Sequence, residues 1–377
     1  MNQIYLDNQS TTPPDPKVIE EMSQFYREKF GNASSIDHSR GWEAKEALSH
    51  SRAKIGRLIG SEPEQIILTS GATESINLAL RGLAKRSDRY PQKIITFRTE
   101  HRAVLDTSEA VSNDGLDAVY LSVDKDGYID LDELEEHIDE KTLIVSVLHA
   151  NNEIGVVQDI DAISDIANKK GVALHIDASQ SIGKIPLDVS RLGRCMISFT
   201  SHKIYGPQGI GALYINSELK NQIAPQITGG GHEHGARSGT TPIALAAGFG
   251  KACEIASDLI DDEVKRINTL TSLLESNLRT IFPELEINGP STDRVAGNIN
   301  VKIPRINNRA FIMKVPEIQI SRGSACTSSN EKRSHVLEAI GLSKNEIDSS
   351  LRFGVGRFNS EEEIHQASEI IKSRFGG

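Results

Sequence analysis

Cysteine is scarce in this chain: three in 377 residues, at positions 195, 253 and 326. An odd number with no C-x-x-C pair excludes a disulfide framework and a closed thiolate zinc site. Long apolar runs are missing too. Nothing approaches the roughly 20 residues of a membrane-spanning helix, so no membrane partner is expected. Basic residues are in deficit, 42 Lys+Arg against 52 Asp+Glu for a net charge of -10. That balance argues against direct nucleic-acid binding or attachment to an anionic membrane. The first residues, MNQIYLDNQSTTPPDP, carry an early acid and no basic apolar leader; the reading is a cytoplasmic protein without a secretion signal. Internal repeats and low-complexity tracts are absent as well.

What is present is an ordinary globular composition, 38% hydrophobic and 25% charged, long enough for one large domain or two moderate ones. Apolar runs at 65–70, 93–97, 118–123, 142–150, 172–179, 196–201 and 211–215 alternate with amphipathic stretches such as TESINLALRGLAKR. Strands alternating with helices predict an α/β fold with a mostly parallel sheet covered on both faces. Past residue 241 the texture changes to one long helical pattern over 241–281, then short strands and a final helix. The expected organisation is a large domain over 12–255 and a smaller α+β domain made of 256–377 together with residues 1–11.

Polar groups gather where the large-domain strands finish, which is where such sheets bind ligands. LTSGATES (68–75) reads as strand, glycine turn and helix start; its N–H groups and Thr73 suit a phosphate, or serve as a plain helix cap. LHIDASQS ends a strand on Asp177 with Gln180 behind it, RTEHRAV ends one on His101, and HANNEIG supplies Asn151 and Asn152. SFTSHKIYGPQGIGALYI then sets His202 and Lys203 at the end of a buried strand, before glycines 206, 209 and 211. A lysine is costly to desolvate, and an amine in that position suits covalent occupation. Phosphate cradle, strand-end aspartate, histidine and lysine together are the parts of a pyridoxal 5'-phosphate site: imine-forming amine, anion for the ring nitrogen, flat side chain for the ring. The glycines are expected to let the backbone approach that cofactor.

The stretches YLDNQSTTP, SGATESIN, NNEIG, DASQSIGK, SHKIYGPQGIGALY, GGGHEHGARSGT and GSACTS follow in this order across nearly the whole chain. On these motifs the sequence resembles the group I, NifS/IscS-like cysteine desulfurases of the class V aminotransferase family. The resemblance implies a fold-type I homodimer, with a seven-stranded sheet in a large cofactor domain and a small domain carrying a sulfur-accepting loop. Lys203 would form the internal aldimine, Asp177 would pair with the pyridinium nitrogen, and Gln180 would hydrogen-bond the phenolate oxygen. His101 would stack on the ring and shuttle protons. Thr73, Thr200 and His202 would hold the phosphate, with Thr240 contributed by the second subunit. Asn152 and Arg352 would hold the substrate carboxylate.

Cys326 would be the nucleophile that takes sulfur from L-cysteine as a persulfide, releases L-alanine, and passes the sulfur to an acceptor protein. Its segment SRGSACTSSNEKR is small and polar, suited to a surface loop that moves. Cys195 and Cys253 sit in apolar surroundings and read as small buried hydrophobes. Arg322 precedes the GSAC run where many members of this family have serine; a cation there would lower the thiol pKa, receive an anionic acceptor or tether the loop. The chain ends at SRFGG, without the longer tail that docks an iron–sulfur scaffold, so a DNA- or tRNA-sulfur-modification acceptor stands beside iron–sulfur cluster assembly. GHEHG offers an H-x-H pair with no third ligand, and no metal is expected. The rival readings are a selenocysteine lyase or other C–S lyase that spares Cys326, and a non-catalytic sulfur-transfer adaptor.

Overall fold

The computed structural model describes residues 3–86, 92–322 and 333–376. Seven short aliphatic runs form one sheet: β1 (Ile66–Thr69), β2 (Lys93–Phe97), β3 (Asp117–Leu121), β4 (Thr142–Leu148), β5 (Ala173–Asp177), β6 (Cys195–Thr200) and β7 (Gly211–Ile215). Their spatial order is β1-β7-β6-β5-β4-β2-β3. Strand β7 runs against both of its neighbours, and the other pairings are parallel. The mostly parallel α/β sheet read from the sequence is therefore present. The run expected to extend to 179 stops at Asp177, because Asp177 Oδ1 accepts the Ser179 N–H at 2.9 Å and turns the chain.

Helices cover both faces of this sheet, and the last of them continue into a second core. They are α1 (Pro16–Arg27), α2 (Ser39–Ile59), α3 (Ala72–Arg86), α4 (Arg102–Asn113), α5 (Ile160–Lys170), the long α6 (Ile243–Ile281) and the C-terminal α7 (Glu361–Phe375). Alternation along each strand decides what meets which helix. Ile95, Val145, Leu174 and Ile197 pack with α1, α2 and the start of α6. Ile94, Ile144, Ala173 and Met196 face the other way, into α3 and α4.

That second face changes character along the strands. Two residues beyond the apolar layer come Thr96, Ser146, His175 and Ser198, all buried. His175 Nδ1 meets Ser146 Oγ at 2.8 Å and its Nε2 meets Ser198 Oγ at 2.9 Å. Two residues further lie Leu148, Asp177 and Thr200, where the sheet opens into the site. Burial holds His175 and nearby His149 down to a pKa of about 4 against an ordinary 6.5. An unfolded chain takes up these protons at 6.5, the folded one only near 4, so stability rises with pH across that window and is lost as pH falls through it. Each imidazole is worth on the order of 3 kcal/mol across the full window. Chemical unfolding of the wild type and of His175→Asn, followed from neutral pH to pH 4.5, should show a shallower loss in the variant. Equal slopes would remove His175 from the linkage.

A second core forms around the far half of α6. There β8 (Glu286–Ile287), β9 (Asn298–Lys302) and β10 (Ser350–Gly354) make an antiparallel sheet. It packs on Ile267, Leu274 and Leu278 of α6 and on Ile364 and Ile371 of α7. The N-terminal strap joins this core through Ile4 and Leu6, and Ile4–Tyr5 pairs in parallel with Ile318–Gln319. The strap then crosses to the carboxyl ends of the large sheet, a path that carries Gln9 and Ser10 into the site. No helix among the described residues is long and apolar enough to cross a membrane.

Candidate active site

A cavity of about 390 Å³ lies at the carboxyl ends of β1, β4, β5 and β6. Its wall includes Thr73, His101, Asn152, Asp177, Gln180, Thr200, His202, Lys203 and Arg352. Residues spread from 73 to 352 in the sequence are thus brought to one place.

One end is built to hold an anion. Strand β1 ends at Thr69, the chain turns at Ser70–Gly71, and α3 begins; first-turn N–H groups have no partner inside a helix. Glu74 reaches back to accept the Ser70 N–H at 2.7 Å and pairs with Arg237 Nε at 2.8 Å. Burial raises the Glu74 pKa, but the bonds from Arg237 and Ser70 outweigh it and hold the carboxyl below the ordinary range. Arg237 thereby offsets a negative charge that would otherwise repel an anion at this helix start. Thr200 and His202 stand opposite. Burial, then the neighbouring Lys203 charge, lowers the His202 pKa to about 4, and its Nδ1 shares a hydrogen bond with Thr11 Oγ1 at 3.0 Å.

Lys203 closes the short turn after β6, half-buried, and its Nζ donates to the carbonyl of Gln9. Gln180 Nε2 donates to the same carbonyl at 2.9 Å. The turn continues through Tyr205, which holds a φ of 64°. That conformation is costly for an aromatic residue and is clamped from several sides. Thr12 Oγ1 accepts the Tyr205 N–H at 2.9 Å, and the Arg357 guanidinium lies 4.1 Å from the ring centroid while bridging Asp15 and Glu263.

The glycine expectation needs correcting. Only Gly209 of the three lines the cavity. A Cβ on Gly211 would meet Phe199 O at 2.6 Å and Gly71 Cα at 2.7 Å, and one on Gly206 would meet Ser201 Oγ at 2.0 Å. Those two glycines let the turn pack on its own protein neighbours.

Between the two ends lie Asp177, 2% exposed, and His101. His101 caps α4, and its Nδ1 accepts the Ala103 N–H at 3.1 Å, so the neutral ring carries its proton on Nε2. Glu100, just before it, accepts the Leu148 N–H at 2.8 Å. Burial first, and the Asp177 charge in addition, push Glu100 well above the ordinary carboxylate range.

At the far end Arg352, 1% exposed, projects from β10. Its Nη1 donates to Asn152 O at 2.8 Å, and its Nη2 donates to Asp7 Oδ1 and Ser10 Oγ, both at 2.7 Å. The backbone of Arg352 pairs with Ser321. Cys326 itself lies outside the described residues. Arg322 is exposed. Thr240, expected to serve a second subunit, is exposed and lies outside its own chain's cavity. In the GHEHG stretch, Glu233 turns inward to Arg52 at 2.7 Å and to Thr241 Oγ1 at 2.8 Å; among the described residues no group of three side chains is placed to hold a metal.

Residues 4–366 match the model of the aminotransferase class-V family. The chain belongs to that family. This class-V aminotransferase relative is 43% identical over 375 residues to the cysteine desulfurase IscS of Klebsiella pneumoniae subsp. pneumoniae, covering 99% of this chain and 93% of that one. A solved NifS-like protein superposes with a TM-score of 0.92 at 35% identity, over 98% of both chains. SspA in complex with cysteine superposes with a TM-score of 0.82 at 32% identity, over 94% of this chain and 99% of that one.

Class-V enzymes work with pyridoxal 5'-phosphate, and the residues present fit it. The helix start supplies N–H donors for a phosphate, Lys203 an amine, and Asp177 a buried carboxylate. Gln180 Oε1 and Ser179 Oγ are buried beside them without hydrogen-bond partners among the described residues. Unsatisfied buried polar atoms are costly, and their gathering on one wall marks a place meant for a polar guest. Sequence reasoning missed Gln9, Ser10 and Glu100. The run DNQST between an apolar strand and two prolines was the available signal for the first two.

Proposed function

We propose that this chain is a pyridoxal 5'-phosphate-dependent cysteine desulfurase, converting L-cysteine to L-alanine and carrying the sulfur on Cys326 to an acceptor protein. The observation that carries the reading is a single cavity joining an anion cradle, the Lys203 amine, the buried Asp177 carboxylate and the buried Arg352 guanidinium. When bound, the cofactor supplies an electron sink that weakens the C–S bond of the amino acid attached to it.

The chain's own residues do the rest. Lys203 holds the cofactor aldehyde, Asp177 keeps the ring nitrogen protonated, and Gln180 serves the phenolate oxygen. Thr73, Thr200 and His202 hold the phosphate, with Thr240 supplied from a second copy in a homodimer. His101 stacks on the ring and moves a proton through Nε2. Arg352 and Asn152 fix the substrate carboxylate, and with it the direction of the side chain. The Cys326 thiolate attacks the substrate sulfur: an S–S bond forms as the Cβ–S bond breaks. The electron pair stays with the carbon skeleton, which takes up a proton and leaves as L-alanine. The acceptor serves iron–sulfur cluster assembly or sulfur modification of a nucleic acid.

The test uses the purified holoenzyme with sulfur-labelled L-cysteine, alkylation and peptide mapping. L-Alanine should form in step with label on Cys326. Cys195 and Cys253 should stay unlabelled, since burial alone raises the Cys195 thiol to about 12 and raises Cys253 as well. Label on either buried cysteine, or free sulfide with no label on the protein, would overturn the assignment; the second outcome is that of a lyase that spares Cys326.

A further inference from the structure

We propose that Ser10 is a third ligand of the substrate α-carboxylate, beside Arg352 and Asn152; this rests on the reading of Arg352 as the carboxylate anchor. Arg352 has few donors left for a substrate carboxylate. Both hydrogens of Nη2 are engaged, one by Asp7 Oδ1 and one by Ser10 Oγ, and Nη1 has given one of its two to Asn152 O. A bidentate clasp of an incoming carboxylate needs two parallel N–H groups; Nε is buried without a partner among the described residues, but the Nη2 on its edge is taken, so this guanidinium does not have a free pair on one edge. Asp7 also neutralises much of its charge, with the pair largely buried.

Ser10 supplies what is lacking. Its Oγ accepts from Nη2, so the hydroxyl hydrogen remains to be given. A hydroxyl that accepts from a cation is polarised into a stronger donor. Asp7 and Ser10 share the same Nη2, yet Ser10 lines the cavity with Arg352 and Asn152 while Asp7 does not. Asp7 therefore backs the arginine, and Ser10 stands on the substrate side. Its place is fixed by the Ser10 N–H donating to Asp7 O at 2.9 Å. The next residue back, Gln9, holds the Lys203 amine, so one strap sets both the amine and the carboxylate end of the site.

The test is titration of the holoenzyme's visible spectrum with L-alanine and with ethylamine, which differ only in the carboxylate. Ser10→Ala should weaken L-alanine binding about tenfold, as for a lost hydrogen bond to a charged group, and move ethylamine by less than about twofold. Ser10→Thr, which keeps the hydroxyl, should restore L-alanine to within about threefold. The Ser10→Ala loss should persist in an Arg352→Ala background. A loss that vanishes there would overturn the proposal, since Ser10 would then act only by holding the arginine. Normal L-alanine binding by Ser10→Ala, with Arg352→Ala impaired, would overturn it while leaving the anchor intact. If neither variant distinguishes the two probes, the anchor reading itself falls, and the proposal with it.

Discussion

Replacing Lys203 with alanine should abolish the visible absorption of the protein reconstituted with pyridoxal phosphate and lower L-cysteine turnover by at least about 10⁴-fold, while the fold survives. Survival is expected because Lys203 is half-buried at the end of β6, and its amine bonds a carbonyl of the strap rather than filling a core. The strained Tyr205 two residues on keeps its clamps from Thr12 and Arg357. Circular dichroism and the unfolding midpoint should therefore stay near wild type. The loss should be chemical, because nothing else on that wall offers an amine to hold an aldehyde. His202 beside it is an imidazole whose pKa burial keeps near 4, and it cannot stand in. An unchanged visible spectrum in the variant would show that the cofactor is held elsewhere.

The strand ends were legible because two signals coincide there. An apolar run of five to seven residues says buried strand, and the first polar residue after it marks the carboxyl end, where α/β sheets take their ligands. Asp177 and Lys203 stood out on that basis, and both line the cavity. The strap was not legible in the same way. Asp7 and Ser10 act on Arg352 across more than 340 positions, and no local pattern encodes which distant arginine a short polar run will meet. Gln9 contributes a backbone carbonyl, which side-chain identity does not announce. Glu100 was hidden for another reason: an acid next to a histidine reads as a solvated loop, and only the packing of β2 against β4 shows it to be buried. Gly206 and Gly211 carried a true signal of close approach, but what they admit is Ser201, Phe199 of β6 and Gly71 after β1, while Gly209 lines the cavity.

Asp177 and Glu100 make a pair whose members should respond very differently to replacement by the amide. Asp177→Asn keeps the shape and leaves an oxygen to accept the Ser179 N–H, so folding should be little affected. Turnover should fall roughly 10³-fold, because a neutral amide no longer favours a protonated ring nitrogen. Glu100 lies on the neighbouring element, buried, its carboxyl bonded to Leu148 N–H. Burial, reinforced by the negative charge of Asp177, raises its pKa well above the ordinary carboxylate range and so favours its neutral form. That shift disfavours a second anion beside Asp177. Glu100→Gln keeps the shape and accepts the same Leu148 N–H, and because burial already favours the uncharged form it should leave turnover within about threefold of wild type. The contrast is the measurement: steady-state kinetics and the visible spectrum of both holoenzymes at pH 7.5. If Glu100→Gln proved as damaging as Asp177→Asn, the negative charge in this corner would belong to position 100, and position 177 would lose its claim on the ring nitrogen.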